Sequence, residues 1–137
     1  MSRILAIDYG TKKCGIAASD PLRIIATGLA TVPTWQLFDW LATYLAAEEV
    51  GDLVVGESVH KDGTPNAIHQ HVIGFERKFA KLYPGIQLHR QDEFLTSKRA
   101  KAAMIEMGVP KMKRREKERV DKIAATIILQ DFMESRR

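Results

Sequence analysis

The sequence has one cysteine, Cys14, in 137 residues and no apolar run long enough to cross a bilayer. A single cysteine excludes an intrachain disulfide and is typical of a reducing compartment, so we expect a cytoplasmic location. A membrane span requires about 20 consecutive apolar residues. The first residues also lack the long apolar segment and the cleavage site of a signal peptide. The sequence therefore predicts no membrane partner.

The composition is that of an ordinary globular protein. Hydrophobic residues make up 45% of the chain and charged residues 28%, which is sufficient for one hydrophobic core. There is no internal repeat, linker or low-complexity tract, so we expect one domain over residues 1–137. The formal net charge of +4 is compatible with a nucleic-acid partner but does not identify one.

Apolar periodicity, interrupted by glycine and proline, predicts an α/β fold in the order β-β-β-α-β-α-β-α-α. The predicted strands span residues 3–8, 14–19, 24–32, 52–56 and 86–91, and the predicted helices span about 35–49, 65–82, 96–107 and 120–133. This order predicts a five-stranded mixed sheet with helices on both faces. In the first helix Trp35, Phe38 and Leu41 share one face, so we expect this aromatic stripe in the core.

The first predicted strand ends on an acid, Asp8, and the chain turns at once through Gly10 and Thr11. An acid on a rigid strand beside a glycine turn suits a metal ion that contacts phosphate, because the backbone there allows close approach. An alternative is a turn in which the aspartate only closes a hairpin. These residues alone leave both interpretations open.

Further acids follow other predicted elements. Asp92 and Glu93 follow the fifth strand, and Asp121 lies in the first turns of the last helix, at the border of its apolar stripe. Successive side chains of a strand alternate between faces, so only one of Asp92 and Glu93 points inward. Glu57 is an additional acid, and Asp20 is expected in a turn. Taken singly, these acids also fit solvated loops or the helix dipole, whereas together they form the oxygen-rich cluster that hard divalent cations require.

Basic residues lie near two of these acids. Lys12 and Lys13 follow Asp8 closely, and a basic run over residues 111–119 immediately precedes the last helix. Such a run is often only a solvated segment. Beside a metal site it would instead contact phosphates. The candidate phosphate-binding residues are Lys12, Lys13, Lys113, Arg114 and Arg115.

Four stretches together resemble one family nearly from end to end: AIDYGTKKCGIAASDP, DLVVG with KDGT, DEFLTS, and KERVDKIAATIILQDF. The chain resembles the YqgF family, the Holliday-junction-resolvase-like proteins regarded as pre-16S rRNA nucleases with a ribonuclease-H-like fold. The resemblance implies a five-stranded mixed sheet with Asp8 on its central strand. It also implies phosphodiester hydrolysis with Mg²⁺ or Mn²⁺, with Asp8, Glu93 and Asp121 as both catalytic residues and metal ligands. Expected partners are RNA, above all pre-16S rRNA, and ribosomal particles.

The implied mechanism is two-metal hydrolysis. Asp8 would bridge two ions about 3.5–4 Å apart, and Glu93 and Asp121 would each complete the shell of one ion. The sequence differs from the family's pattern at two places. Glu57-Ser58 stands where members often have Leu-Pro or Glu-Pro, and Phe94 stands where members commonly have arginine.

The sequence leaves three alternatives open. A DNA junction resolvase shares the same chemistry, and a metal-carboxylate site cuts either backbone. An ATP-binding module of the actin and Hsp70 type also begins with Asp-x-Gly-Thr, but it needs a second such domain. A binding module without activity is the third. The sequence does not determine the oligomeric state.

Overall fold

The computed structural model describes residues 2–57, 65–92 and 117–136, with side chains for 2–56, 68–91 and 122–136. In these ranges it has five strands, three α-helices and one 3₁₀ turn. The strands are β1 (Arg3–Tyr9), β2 (Lys13–Ser19), β3 (Ala26–Pro33), β4 (Val50–Glu57) and β5 (Gln87–Asp92). The helices are α1 (Leu37–Ala47), α2 (Pro65–Leu82) and α3 (Lys117–Ser135), and the 3₁₀ turn is Thr34–Gln36.

The strands form one mixed sheet in the order β3-β2-β1-β4-β5. β1 pairs antiparallel with β2, which pairs antiparallel with β3. On its other side β1 pairs parallel with β4, and β4 pairs parallel with β5. The predicted α/β fold with a five-stranded mixed sheet is therefore confirmed, and β1 lies at the centre of the sheet.

The burial of each strand follows from its place in the sheet. Six of the seven residues of β1 and of β2 are buried, because helices cover both faces of these strands. Such strands have nearly continuous apolar sequences. β3 lies at the edge and contains alternating half-buried and exposed residues. The sheet therefore buries β1 most completely, and any group on this strand is held rigidly.

Two hydrophobic clusters lie on opposite faces of the sheet. On one face, side chains from β1, β2 and β4 pack against α1 and α2, with Phe79, Leu41 and Val72 fully buried. On the other face, Ile4 and Ala6 of β1 belong to the same cluster as residues of α3. α3 packs closely, because a Cβ at Gly28 of β3 would lie 2.7 Å from Lys122 Cγ.

The start of β3 differs from its predicted position. β3 begins at Ala26, two residues later than predicted, because Asp20 Oδ1 accepts the backbone N–H groups of Ile24 and Ile25 at 2.7 and 2.8 Å. These two residues therefore lie in the loop after the turn of residues 20–23, which begins at Asp20. The predicted helix over residues 96–107 lies outside the described residues.

The expected position of Trp35 in the core is wrong. The α-helical conformation begins at Leu37, and residues 34–36 form a 3₁₀ turn. Because a 3₁₀ turn has three residues per turn rather than 3.6, Trp35 does not follow the α-helical stripe, and it is 79% exposed. Phe38 packs against the core as expected, and Trp40 also packs against it.

Of the helices in the described ranges, none has the combination of length and apolar character needed to cross a membrane.

The turn between β1 and β2 yields a test of local packing. A Cβ at Gly10 would lie 2.5 Å from the backbone oxygen of Lys13, which is closer than real Cβ contacts allow. We expect Gly10→Ala to lower the free energy of unfolding by about 1–3 kcal/mol in urea denaturation. Gly74→Ala is the control, because no atom lies within 4 Å of its added Cβ. This exposed helical site should gain roughly 0.5–1 kcal/mol. Equal stability of the two variants would contradict the tight turn.

Candidate active site at the carboxyl edge of the sheet

Asp8 is a buried acid on the central strand, and it is only 5% exposed. In the sheet it lies beside Gly15 of β2 and Gly56 of β4. Because glycine has no side chain, neither neighbouring strand places a side chain next to the carboxylate within this row. The sheet thus holds the carboxylate rigidly between two positions that carry no side chain. The surroundings of Asp8 therefore fit a bound cation.

Three parallel strands end at this edge of the sheet. Tyr9 of β1 lies in register with Glu57 of β4, and Glu57 with Asp92 of β5. The backbones of two acidic positions, Glu57 and Asp92, therefore lie side by side at this edge. Glu93 follows Asp92 directly and lies outside the described residues.

Asp8 belongs to the face of the sheet that α3 covers. Ile4 and Ala6 lie four and two positions before Asp8, so their side chains are on the same face of β1. Both belong to the cluster with α3. On β5 the side chain of Gln91 is directed to the same face, because its Nε2 lies 3.5 Å from the backbone oxygen of Ile128. The row that contains Asp8 therefore lies beneath α3.

The direction of α3 shows that its first turns, which include the backbone of Asp121, lie near the row that contains Asp8. His89 of β5 contacts Phe132 with ring centroids 4.7 Å apart, and Gln91 lies near Ile128. The helix thus runs antiparallel to β5, and its first turns approach the carboxyl edge. Asp121 lies one turn before Ala125, which shares a cluster with Ala6. The backbone of Asp121 is thus in the first turns of this helix, whereas its side chain lies outside the described ones.

The convergence of Asp8, Glu93 and Asp121 stays a prediction, because only the side chain of Asp8 is described. Among the described side chains, no group of three histidine, cysteine, aspartate or glutamate residues is close enough to hold a metal ion. Two of the three predicted ligands, Glu93 and Asp121, are not among the described side chains.

The turn after Asp8 is anchored by Thr34. The Thr34 hydroxyl donates to the backbone oxygen of Gly10 at 2.7 Å, and the Thr34 N–H donates to the backbone oxygen of Lys12 at 2.9 Å. Lys12 is exposed and Lys13 is half-buried at the start of β2. Both lysines therefore lie in or next to an ordered turn beside Asp8. The other candidate phosphate-binding residues, Lys113, Arg114 and Arg115, lie outside the described residues.

A groove of about 580 Å³ lies on the opposite face, beside Tyr9. Burial raises the pKa of the Tyr9 hydroxyl above its ordinary value, and the neighbouring Cys14 acts in the same direction, so this hydroxyl stays neutral near pH 7. The ammonium group of Lys78 lies 4.4 Å from the centre of the Phe38 ring. The groove thus combines aromatic rings with a cation and is lined by Tyr9, Phe38, Gln70, His71, Gly74, Phe75 and Lys78.

A separate ion network lies at the other end of the parallel strands. The Arg23 guanidinium donates to Asp52 Oδ2 at 2.7 Å and to the backbone oxygen of Ser2 at 2.9 Å. His89 Nε2 lies 2.9 Å from Asp52 Oδ1. Burial alone would raise the pKa of Asp52, but the hydrogen bonds from His89 and Arg23 and their charges outweigh burial and hold this pKa below its ordinary value.

This network shows what the sequence patterns missed. His89 contacts both Asp52 and Phe132, and the apolar periodicity of the sequence predicts neither contact. The sequence signal is weak, because a polar residue in a buried strand indicates that it has a partner but does not identify that partner. The turn role expected for Asp20 is confirmed, because its side chain accepts three backbone N–H groups.

The sheet order, the buried acid on the central strand and the helix above it are features of the ribonuclease-H-like class of α/β proteins. Comparison with known proteins gives the family. The model of the RuvX family, described as Holliday junction resolvase, matches residues 2–135. The chain therefore belongs to this family of nucleases, which is the YqgF family that its motifs resemble.

Relatives are similar over the whole chain. A Christiangramia forsetii protein is 46% identical over 133 residues, covering 97% of this chain and 98% of the relative. A Flavobacterium johnsoniae protein is 42% identical over 137 residues, with 100% and 99% covered. A Porphyromonas gingivalis protein is 42% identical over 135 residues, with 98% of each chain covered. All three bear the name "Putative pre-16S rRNA nuclease".

The ion network yields a prediction on pH. Because the pKa of Asp52 is lower in the folded state, its ionised form contributes stability that is complete above the unfolded pKa of about 3.9. That contribution disappears as the pH falls through the lower, folded pKa. We expect Asp52→Asn to lose about 1 kcal/mol of unfolding free energy at pH 7, since solvent partly screens the network.

Urea denaturation at pH 7 and at about pH 3 measures this effect. The difference between the wild-type protein and Asp52→Asn should shrink at the lower pH. Glu134→Gln removes an exposed carboxylate and serves as the control, with little effect at either pH. A stability difference for Asp52→Asn that is independent of pH would show that the charge of Asp52 is not what stabilises the fold.

Proposed function

We propose that the protein is a metal-dependent nuclease that hydrolyses phosphodiester bonds in RNA and acts in maturation of the 5′ end of pre-16S rRNA. The observation that carries this proposal is the buried carboxylate of Asp8, which lies between Gly15 and Gly56 where three parallel strands end. A buried carboxylate is costly unless a positive charge compensates it. Family membership and the name shared by the relatives support the choice of reaction and substrate.

The proposed metal ligands are Asp8, Glu93 and Asp121, and the proposed ion is Mg²⁺ or Mn²⁺, because hard divalent cations prefer carboxylate oxygens. Such ions, when bound, supply an activated water and neutralise charge on the departing oxygen. The contribution of the chain is to hold these carboxylates in place. β1 fixes Asp8 through its pairing on both sides, and α3 fixes the backbone of Asp121 through the packing of Ala125.

The pattern along β5 favours Glu93 over Asp92 as the second ligand. His89 and Gln91 are directed to the face that α3 covers, as their contacts with Phe132 and Ile128 indicate. Side chains two positions apart in a strand share a face. An extended continuation of β5 would therefore direct residue 93 to the same face as Asp8.

Substrate choice must come from the surface around the carboxylates, because a metal-carboxylate site reads little sequence. Lys12 and Lys13 follow Asp8 and are proposed to contact phosphates, together with Lys113, Arg114 and Arg115. We propose that the preferred substrate is single-stranded or locally unpaired RNA near a structured precursor end, where a flexible backbone can enter the site. Ribosomal particles that carry the precursor are the proposed physiological partner.

A DNA junction resolvase is the second candidate, because the matching family model is described as Holliday junction resolvase. That activity requires two sites presented to a four-way junction. An assay with both substrates separates the two candidates.

The direct test supplies purified protein and Mn²⁺ with a 16S precursor fragment or with a synthetic four-way DNA junction. We expect cleavage of the RNA and an intact junction. Asp8→Asn should lower the rate more than about 100-fold, because even outer partners of metal ligands are worth 10–100-fold. Asp39→Asn, which alters an exposed acid of α1, is the matched control and should cleave like the wild type.

Mn²⁺ should also raise the melting temperature of the wild-type protein more than that of Asp8→Asn, because close carboxylates repel each other without a cation. Paired nicks in the junction with the RNA untouched would contradict the proposed substrate. RNA cleavage that persists in Asp8→Asn would contradict the proposed site.

A further inference from the structure

Trp35 is the most exposed large hydrophobic residue among the described ones, at 79%. The other tryptophan, Trp40, stacks on Tyr44 with ring centroids 5.0 Å apart and packs against the core. A single exposed hydrophobic residue needs no special explanation. The position of Trp35 and the groups that hold it distinguish it from such a case.

The backbone at Trp35 is tied to the turn that follows Asp8. Its preceding residue, Thr34, donates its hydroxyl to the Gly10 oxygen and its N–H to the Lys12 oxygen. Trp35 itself lies within the 3₁₀ turn between β3 and α1. An exposed ring on a fixed backbone loses little conformational freedom on binding, which favours its use as a binding surface.

Cations and further aromatic rings lie on the elements next to the turn that carries Trp35. Lys12 is exposed in the adjoining turn. Phe38, three residues after Trp35, lines the groove of about 580 Å³, and Lys78 lies over its ring. Aromatic rings next to cations are the chemistry of sites for single-stranded nucleic acid, where bases stack and phosphates are neutralised.

We propose that Trp35 stacks on a base of single-stranded RNA that flanks the cleaved phosphate, and that the groove beside Phe38 and Lys78 takes the nucleotides next to it. The strand would pass from the Asp8 edge over the turn of Gly10 and Lys12 to Trp35. This inference rests on the proposed function for the direction of the strand and for the choice of RNA. The base stacking itself is measurable without cleavage.

The first experiment measures binding in EDTA, so that neither metal nor cleavage contributes. The probe is a fluorescent single-stranded RNA of about 12 nucleotides of mixed sequence, followed by anisotropy. We expect Trp35→Ala to weaken binding roughly 5- to 150-fold, which is the range for loss of one stacked base. Trp35→Phe should retain most of the affinity. Leu22→Ala is the control, because Leu22 is also exposed, at 58%, but lies in the Asp20 turn.

Two further probes show whether the effect is stacking. A duplex of the same sequence should bind the wild type and Trp35→Ala equally, since its bases are already stacked. The wild type should bind more tightly than Trp35→Ala, and this difference in affinity should shrink when an abasic site replaces the stacked base. A difference in affinity that persists with the abasic site at every position would overturn the stacking proposal.

The second experiment does not depend on the Trp35→Ala variant. The chain has two tryptophans, so Trp40→Phe leaves Trp35 as the only one. We expect single-stranded RNA to quench its fluorescence with the same concentration dependence as the anisotropy change. Absence of quenching despite binding would overturn the inference. So would a Trp35→Ala variant that binds RNA normally but changes self-association, because Trp35 would then contact another copy of the chain.

The outcomes also separate this inference from the proposed function. If the wild type shows the Trp35-dependent binding but cleaves no RNA with Mn²⁺, the stacking site stands and the nuclease proposal fails. If RNA is cleaved and Asp8→Asn is inactive, yet Trp35→Ala binds RNA normally, only the stacking site fails.

Discussion

The parallel pairing of β1, β4 and β5 is the constraint on which the rest of the structure depends. Register places Asp8 beside Gly56, and Gly56 beside Gln91, so the three strands end in one row. A shift of one residue in the pairing register of β1 would direct the side chain of Asp8 to the opposite face of the sheet. Tyr9 or Ile7 would then take its place under α3. The position of the candidate site is therefore a consequence of strand register.

The amino-terminal and carboxyl ends of the parallel strands carry different side chains. At the amino-terminal edge the Asp52 carboxylate pairs with the Arg23 guanidinium and contacts the His89 ring. The carboxyl edge has a buried acid between glycines, an exposed lysine and an exposed tryptophan. Paired charges at one edge help to hold the register that the other edge requires. Ligands of α/β sheets commonly bind at the carboxyl ends of strands, in agreement with this division.

Much of the fold could be predicted from sequence because the apolar runs of β1 and β4 and the periodicity of α3 are strong local signals. The placement of Asp8 at a strand end followed from the same pattern. The exposure of Trp35 could not be predicted, because it depends on the contact of Thr34 with a turn 24 residues away. The Asp52–His89 contact joins residues 37 apart, and local patterns do not specify such pairs.

The central claim is that the carboxylate of Asp8 supports maturation of 16S rRNA. Mapping the 5′ ends of 16S rRNA tests it most directly in cells depleted of the protein and supplied with either the wild type or Asp8→Asn. The account predicts that precursors with extended 5′ ends accumulate on depletion, disappear with the wild type and persist with Asp8→Asn. Normal mature 5′ ends in cells that contain only Asp8→Asn would contradict it.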